Sequence, residues 1–122
     1  VVSSTNGGET LSLAACKTVI ETYREEKVCQ YLWTMGEKLW TQVNDLFEQN
    51  QVPIKIKGFW PCAAFVPLPE ASSDILNRFF RLAFKHGVSL YHVSYVNFSH
   101  KEEDIAETVK RLDMAIKELA AT

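Results

Sequence analysis

The sequence predicts an α+β fold, in which helices cover a small and mostly antiparallel sheet. Its patterns follow the order helix, helix, strand, strand, helix, strand, strand, helix. The helical patterns are long and the strand patterns come as two short pairs, which is typical of helices that cover a small sheet. With 122 residues, 47% of them hydrophobic and 23% charged, the chain has the size and composition of one globular domain.

Two helices are predicted in the first half of the chain. Apolar residues recur every four positions between Glu9 and Glu26, which predicts an amphipathic helix that starts after Gly7-Gly8. The second helix runs from about Val28 to Gln49. Three aromatic residues lie seven positions apart along it: Trp33, Trp40 and Phe47. This spacing favours a core or a subunit interface over a ligand-stacking surface.

The second half alternates strands with helices. Alternating apolar and basic residues predict a strand over 52–57, and Pro53 places it at a sheet edge or marks the start of the strand. A buried strand follows over 62–66. A helix capped by Ser72 or Ser73 should end at His86-Gly87. Short strands are predicted over 88–91 and 95–98. The last helix begins at a capping box formed by Ser99 to Glu102.

Charge and composition argue against several classes of partner. The net charge of -2 leaves no basic stripe for nucleic acid, and no apolar run is long enough to span a membrane. We find no secretion leader in the sequence and therefore expect a cytoplasmic protein. The three cysteines have no paired metal-ligand spacing, so we expect them to be reduced and packed.

Candidate chemistry is confined to the opening segment. His86, His92 and His100 are scattered, and the carboxylates over 102–104 are explained by the start of a helix. Ser4 and Thr5 carry hydroxyls, the following glycines allow close approach of the backbone, and the next helix should offer unsatisfied N–H groups. These are the parts of a phosphate site, although the same residues also serve as an ordinary helix cap.

The order of several segments resembles the end of class III pyridoxal-phosphate aminotransferases, with members similar to glutamate-1-semialdehyde aminomutase nearest. The resemblance starts at the run from Ser4 to Ala15 and continues through Leu32-Trp33, Gly36 to Leu39, Gly58 and His86-Gly87-Val88. It closes on Ser99 to Ile105. It covers nearly the whole chain, and it implies the C-terminal α+β domain of a fold-type I enzyme over 9–122, with 1–8 as a lead-in.

The resemblance also implies a cofactor, partners and site residues. In that family the positions of Ser4 and Thr5 reach the phosphate of pyridoxal 5'-phosphate in the neighbouring subunit, which implies a homodimer acting on a small amino-group substrate. The lysine that binds the cofactor, and the acid that faces its ring nitrogen, lie upstream in the family. None of the nine lysines here matches that lysine's context, so the isolated chain should be inactive.

Two departures from the family pattern bear on the substrate. Glu9-Thr10 replaces the Asn-Pro that many members carry, and the segment from Val88 to His100 lacks their late carboxylate-binding arginine. An alternative class is a free-standing α+β regulatory or ligand-binding module, whose uncovered sheet face meets a partner. A degenerate family member kept as an interaction protein is a third possibility.

Overall fold

The computed structural model describes Thr5 and residues 8–121, and these residues contain four helices and three strands. The helices are α1 (Thr10–Glu25), α2 (Val28–Gln49), α3 (Ile75–Lys85) and α4 (Glu102–Ala120). The strands are β1 (Ile54–Phe59), β2 (Cys62–Pro67) and β3 (Val93–Tyr95). The α+β class is therefore confirmed. The chain divides into two compact units, Val1–Tyr31 and Leu32–Thr122, and α2 begins in the first and continues into the second.

The sheet of the second unit is antiparallel throughout, with the strand order β1-β2-β3. Ile56 pairs with Phe65, and Ala63 pairs with Ser94, so these side chains share one face of the sheet. Members of that face are buried, whereas Lys55 and Lys57 on the opposite face of β1 are exposed. Pro53 was expected at a sheet edge or at a strand start, and it lies directly before β1, which is an edge strand.

An aromatic cluster forms the centre of the core. Phe79 of α3 is fully buried and lies between the rings of Phe47 and Phe65, with centroid distances of 5.1 and 5.6 Å. The ring of Phe65 also meets that of Trp40 edge-on at 5.7 Å. Two members of the predicted aromatic stripe on α2 are thus core residues. The third, Trp33, is 47% exposed and packs edge-on against Phe59.

The strand predicted over 88–91 does not form, and the strand predicted over 95–98 is replaced by β3 at 93–95. The N–H of Val88 donates to the carbonyl of Ala83, because the chain closes α3 through Gly87 at a positive φ of 83°. Tyr91 is tied into a turn by hydrogen bonds of its N–H and carbonyl with the Ser94 hydroxyl. Backbone groups used in this way cannot join a strand ladder.

Two predicted helix starts also differ. Helix α3 is preceded by Asp74, without a side-chain cap from Ser72 or Ser73. Helix α4 begins at Glu102 rather than within a capping box headed by Ser99, and Lys101 occupies the cap position. Lysine has no acceptor, so only the reverse contact forms, in which the Asp104 carboxylate accepts from the Lys101 N–H at 2.8 Å.

Helix α1 in the first unit buries none of its residues. Its apolar positions are present at the predicted spacing, yet Leu11 is 77% exposed and Val19 is 53% exposed. The amphipathic pattern is therefore sufficient for a helix here without giving it a packed face.

Candidate functional site

The structure describes only some residues of the opening segment, namely Thr5 and those from Gly8 onwards. Ser4 lies outside the described residues, so its predicted phosphate contact has no structural counterpart here. Thr5 is exposed in a turn. Gly8 has a φ of 84°, and the space where a Cβ would lie is open. Thr5 therefore lies at the surface, and a side chain at position 8 would meet no neighbouring atom.

The start of α1 corrects the expectation of open N–H groups. The Glu9 carboxylate accepts from the Leu11 N–H at 2.9 Å and from the Ser12 N–H at 2.6 Å. Hydrogen bonds from Ser12, and then from Leu11, hold the pKa of Glu9 below its ordinary range. A helix end that already binds a carboxylate has fewer donors and more negative charge for an incoming phosphate. Two of the N–H groups expected to be open are thus occupied by Glu9, and the phosphate contact of Thr5 stays a prediction.

The three histidines lie apart and contact separate partners. His86 closes α3, and its Nε2 lies 2.9 Å from the Glu118 carboxylate of α4. His92 packs edge-on against Phe80 at 5.2 Å. His100 lies within hydrogen-bond distance of Asn97 at the turn before α4. Within the part of the chain that the structure describes, no group of three His, Cys, Asp or Glu side chains is arranged to hold a metal ion.

A groove of about 720 Å³ lies in the second unit. It is bounded by α2, by the first half of α4 and by the loop over 87–95 that replaces the expected strand. Its apolar wall includes Leu39, Trp40 and Ile105, and two exposed tyrosines, Tyr91 and Tyr95, lie along it. Polar side chains also line it, among them Ser94, His100 and Asp104, so the lining is mixed rather than mainly apolar.

Arg111 is the arginine among the residues that line this groove. Its Nε donates to the Glu107 carboxylate at 2.8 Å, and Lys110 lies 3.7 Å from the other oxygen of that carboxylate. These contacts, with the hydrogen bond from Arg111 first, lower the pKa of Glu107. A Cβ at Gly87 would collide with Nη1 of Arg111, so the guanidinium lies directly against the Gly87 backbone.

Sequence reasoning did not single out Arg111. The spacing of four residues between Glu107 and Arg111 indicates an ion pair on one helix face, which by itself is an ordinary surface feature. The groove around it depends on residues about 20 positions upstream and on α2, so spacing along α4 could not reveal it.

The chain is similar to curated aminomutases and aminotransferases over most of its length. It is 25% identical to glutamate-1-semialdehyde 2,1-aminomutase of Archaeoglobus fulgidus over 127 aligned positions, covering 93% of this chain and 30% of the relative. It is 26% identical to glutamate-1-semialdehyde 2,1-aminomutase 2 of Staphylococcus saprophyticus, covering 97% of this chain and 29% of the relative. No protein-family model matches the chain.

A relative with a different name also matches most of this chain over a small part of its own length. The 3-aminobutyryl-CoA aminotransferase of Cloacimonas acidaminovorans is 23% identical over 113 positions, covering 88% of this chain and 27% of the relative. These relatives confirm the resemblance predicted from the sequence. The chain spans less than a third of the length of each, which is consistent with the C-terminal portion expected. Among Thr5 and residues 8–121, no helix combines the length and apolar character needed to cross a bilayer.

Proposed function

We propose that this chain is the C-terminal domain of a pyridoxal-phosphate-dependent aminotransferase or aminomutase. The observation that carries the proposal is the similarity of 88–97% of the chain to the three proteins of these two activities described above, at 27–30% of their length. The exposed apolar face of α1 supports it, because such a face gains stability when a further part of the same protein covers it. The domain would act in a homodimer on a small amino-group substrate.

Thr5 is the residue of this chain proposed to hold the cofactor. Its exposed hydroxyl can donate to a phosphate oxygen of pyridoxal 5'-phosphate, and the open space beside Gly8 allows the phosphate to approach the backbone. Ser4 would add its backbone beside it. The bound cofactor supplies the chemistry of amino-group transfer, whereas this domain supplies a phosphate contact, part of the substrate channel and subunit packing.

The coding sequence upstream of Val1 gives the first test. The proposal expects a strand ending in a lysine and, further upstream, an acidic residue for the cofactor ring nitrogen. A start codon directly before Val1 would contradict it and favour the free-standing regulatory or ligand-binding module. The isolated chain, mixed with pyridoxal phosphate, should give no stoichiometric visible absorbance band that survives dialysis.

The second test addresses Thr5 in the complete protein. Thr5→Ala should weaken cofactor binding about tenfold or more, because a hydrogen bond to a charged phosphate is lost. Thr22→Ala is the matched control, since that hydroxyl bonds only to the Thr18 carbonyl within α1 among the contacts described for it. Equal cofactor affinities in the two variants, measured by titration of the apoenzyme, would remove Thr5 from the site and leave the domain assignment standing.

A further inference from the structure

We propose that the groove beside β3 binds an extended peptide, which joins the sheet as a fourth, antiparallel strand and places a basic side chain against α4. This proposal goes beyond the function proposed above, because it depends on neither Thr5 nor the cofactor. The groove lies within the unit Leu32–Thr122, between α2, α4 and the loop over 87–95.

The outer edge of β3 supplies the hydrogen-bonding groups for such a strand. On either side of β3, the carbonyl of His92 accepts from β2 at 3.0 Å, and the N–H of Val96 donates to the residue before β2 at 3.1 Å. Backbone polar groups alternate in direction along an antiparallel strand, so those of Ser94 also face β2. The N–H and C=O groups of Val93 and Tyr95 therefore point away from β2.

The groove follows this edge rather than one face of the sheet. The side chains of Val93 and Tyr95 are exposed on one face, whereas that of Ser94 is buried on the other, and all three residues line the groove. Leu39 of α2 and Ile105 of α4 add apolar wall. A strand added here would lie about 4.8 Å from β3, with alternate side chains directed toward the two helices.

The opposite edge of the sheet is closed to such a strand. The N–H of Ile56 donates to the Asn44 side chain of α2 at 2.8 Å, and the Asn44 amide donates to the Ile56 carbonyl at 3.2 Å. The Ile54 N–H donates to the Val52 carbonyl at 2.8 Å. Lysines often protect an edge strand from pairing, and β1 carries two of them, whereas β3 carries no charged residue. An added strand can therefore pair with β3 and not with β1.

The charge of the groove favours a basic side chain in the peptide. Its lining contains two carboxylates, Asp104 and Glu107, and the guanidinium of Arg111 already pairs with Glu107 at 2.8 Å. Asp104 accepts the Lys101 N–H at 2.8 Å, and among the contacts described for it no side-chain cation neutralises it. A carboxylate can accept further hydrogen bonds, so a lysine or arginine of the peptide can pair with Asp104. The partner is therefore an extended segment in which a basic residue lies between apolar residues at alternate positions.

Titration of the 122-residue chain with the blocked peptide Ac-Val-Thr-Lys-Thr-Val-NH2, followed by amide shifts in NMR spectra, tests the proposal. Binding should saturate below about 10 mM, with the largest shifts at the amides of Val93 and Tyr95. Replacing the peptide's lysine with glutamate should weaken binding about tenfold, because Asp104 then meets a like charge. No saturation, equal or tighter binding of the glutamate peptide, or shifts centred on β1 would overturn the proposal.

Backbone methylation of the peptide separates strand pairing from side-chain binding. In the antiparallel register the two threonines share a sheet face with Val93 and Tyr95, so their N–H groups face β3. The peptide with both threonines N-methylated keeps every side chain but loses these donors, and it should bind about tenfold more weakly or not at all. Equal affinity of the methylated peptide would overturn the proposal, and this comparison uses the unaltered protein.

Variants of the chain assign the contacts. Val93→Pro removes an N–H that faces away from β2, so it should weaken binding about fivefold, whereas Val93→Thr keeps that donor and should bind as before. Asp104→Asn keeps an acceptor for the Lys101 N–H, and it should bring the lysine and glutamate peptides to within about twofold of each other. Unchanged affinities in both Val93→Pro and Asp104→Asn would overturn the proposal.

Discussion

Helices α1 and α3 are both amphipathic, yet they differ completely in what they bury. Helix α3 presses Phe79 and Ala83 into the core with no exposed surface, whereas α1 leaves every residue outside the buried class. The two helices show that regular apolar spacing and a packed face are separate properties. The spacing makes the helix amphipathic, but a partner surface is needed to bury it.

The largest loss of stability should come from a substitution in α3, the helix with a buried face. Phe79→Ala removes a fully buried ring that contacts Phe47 and Phe65, so it should lower the free energy of unfolding by about 3–5 kcal/mol. Urea denaturation followed by tryptophan fluorescence measures it, because all three tryptophans lie in the second unit. Phe84→Ala on the same helix, at a ring 72% exposed, should change it by less than about 0.5 kcal/mol. Similar losses in both variants would show that burial does not separate the two faces of α3.

A smaller loss of stability is expected from a substitution where α2 contacts the turn between β1 and β2. Alanine usually stabilises a helix relative to glycine, but a Cβ at Gly36 would collide with the Trp60 carbonyl. That carbonyl also accepts from the Trp40 indole at 3.0 Å, which holds it in place. Gly36→Ala should therefore destabilise the second unit by about 1–3 kcal/mol. Thr41→Ala, at an exposed position of α2, is the control, and a stabilised Gly36→Ala variant would mean that the turn moves away freely.

Substitutions in α1 should change the stability of the second unit least. Leu11→Ser combined with Val19→Ser should shift the unfolding transition of the second unit by less than about 0.5 kcal/mol, because neither side chain is buried. Leu112→Ser, at a fully buried position of α4, should cost several times more. A loss above about 1 kcal/mol in the α1 variant would show that α1 contributes to the stability of the core.

Local sequence was a good guide wherever the periodicity extended over several turns. Helices α2, α3 and α4 and strands β1 and β2 lie where their patterns predicted, and Ile105, Leu112 and Ile116 of α4 are buried. The errors occur at backbone positions that have two competing uses. Val88 was assigned to a strand, but its N–H closes α3. The pattern assigns the cap to Ser99, but Lys101 occupies the cap position, and its N–H donates to the Asp104 carboxylate.

Of the two candidate sites, local sequence suggested one and not the other. The segment around Thr5 was predicted because hydroxyls, glycines and a helix start are adjacent in sequence, but the occupation of that helix start by Glu9 depends on a side-chain rotamer. The groove was not predicted, because it is assembled from α2, the loop over 87–95 and α4. Their proximity depends on chain reversals rather than on local pattern.

The sequence by itself determined the α+β class, the helices and the resemblance to aminotransferases and aminomutases, because these follow from local periodicity and the order of motifs. The tertiary structure alone decided which apolar faces are covered, which N–H groups remain available and where Arg111 lies. Those features depend on contacts between residues distant in sequence, such as Arg111 with Gly87 and Gly36 with Trp60. Helix α1 illustrates the difference, because its sequence pattern specifies a helix but does not determine whether the apolar face is covered, and in this chain that face is exposed.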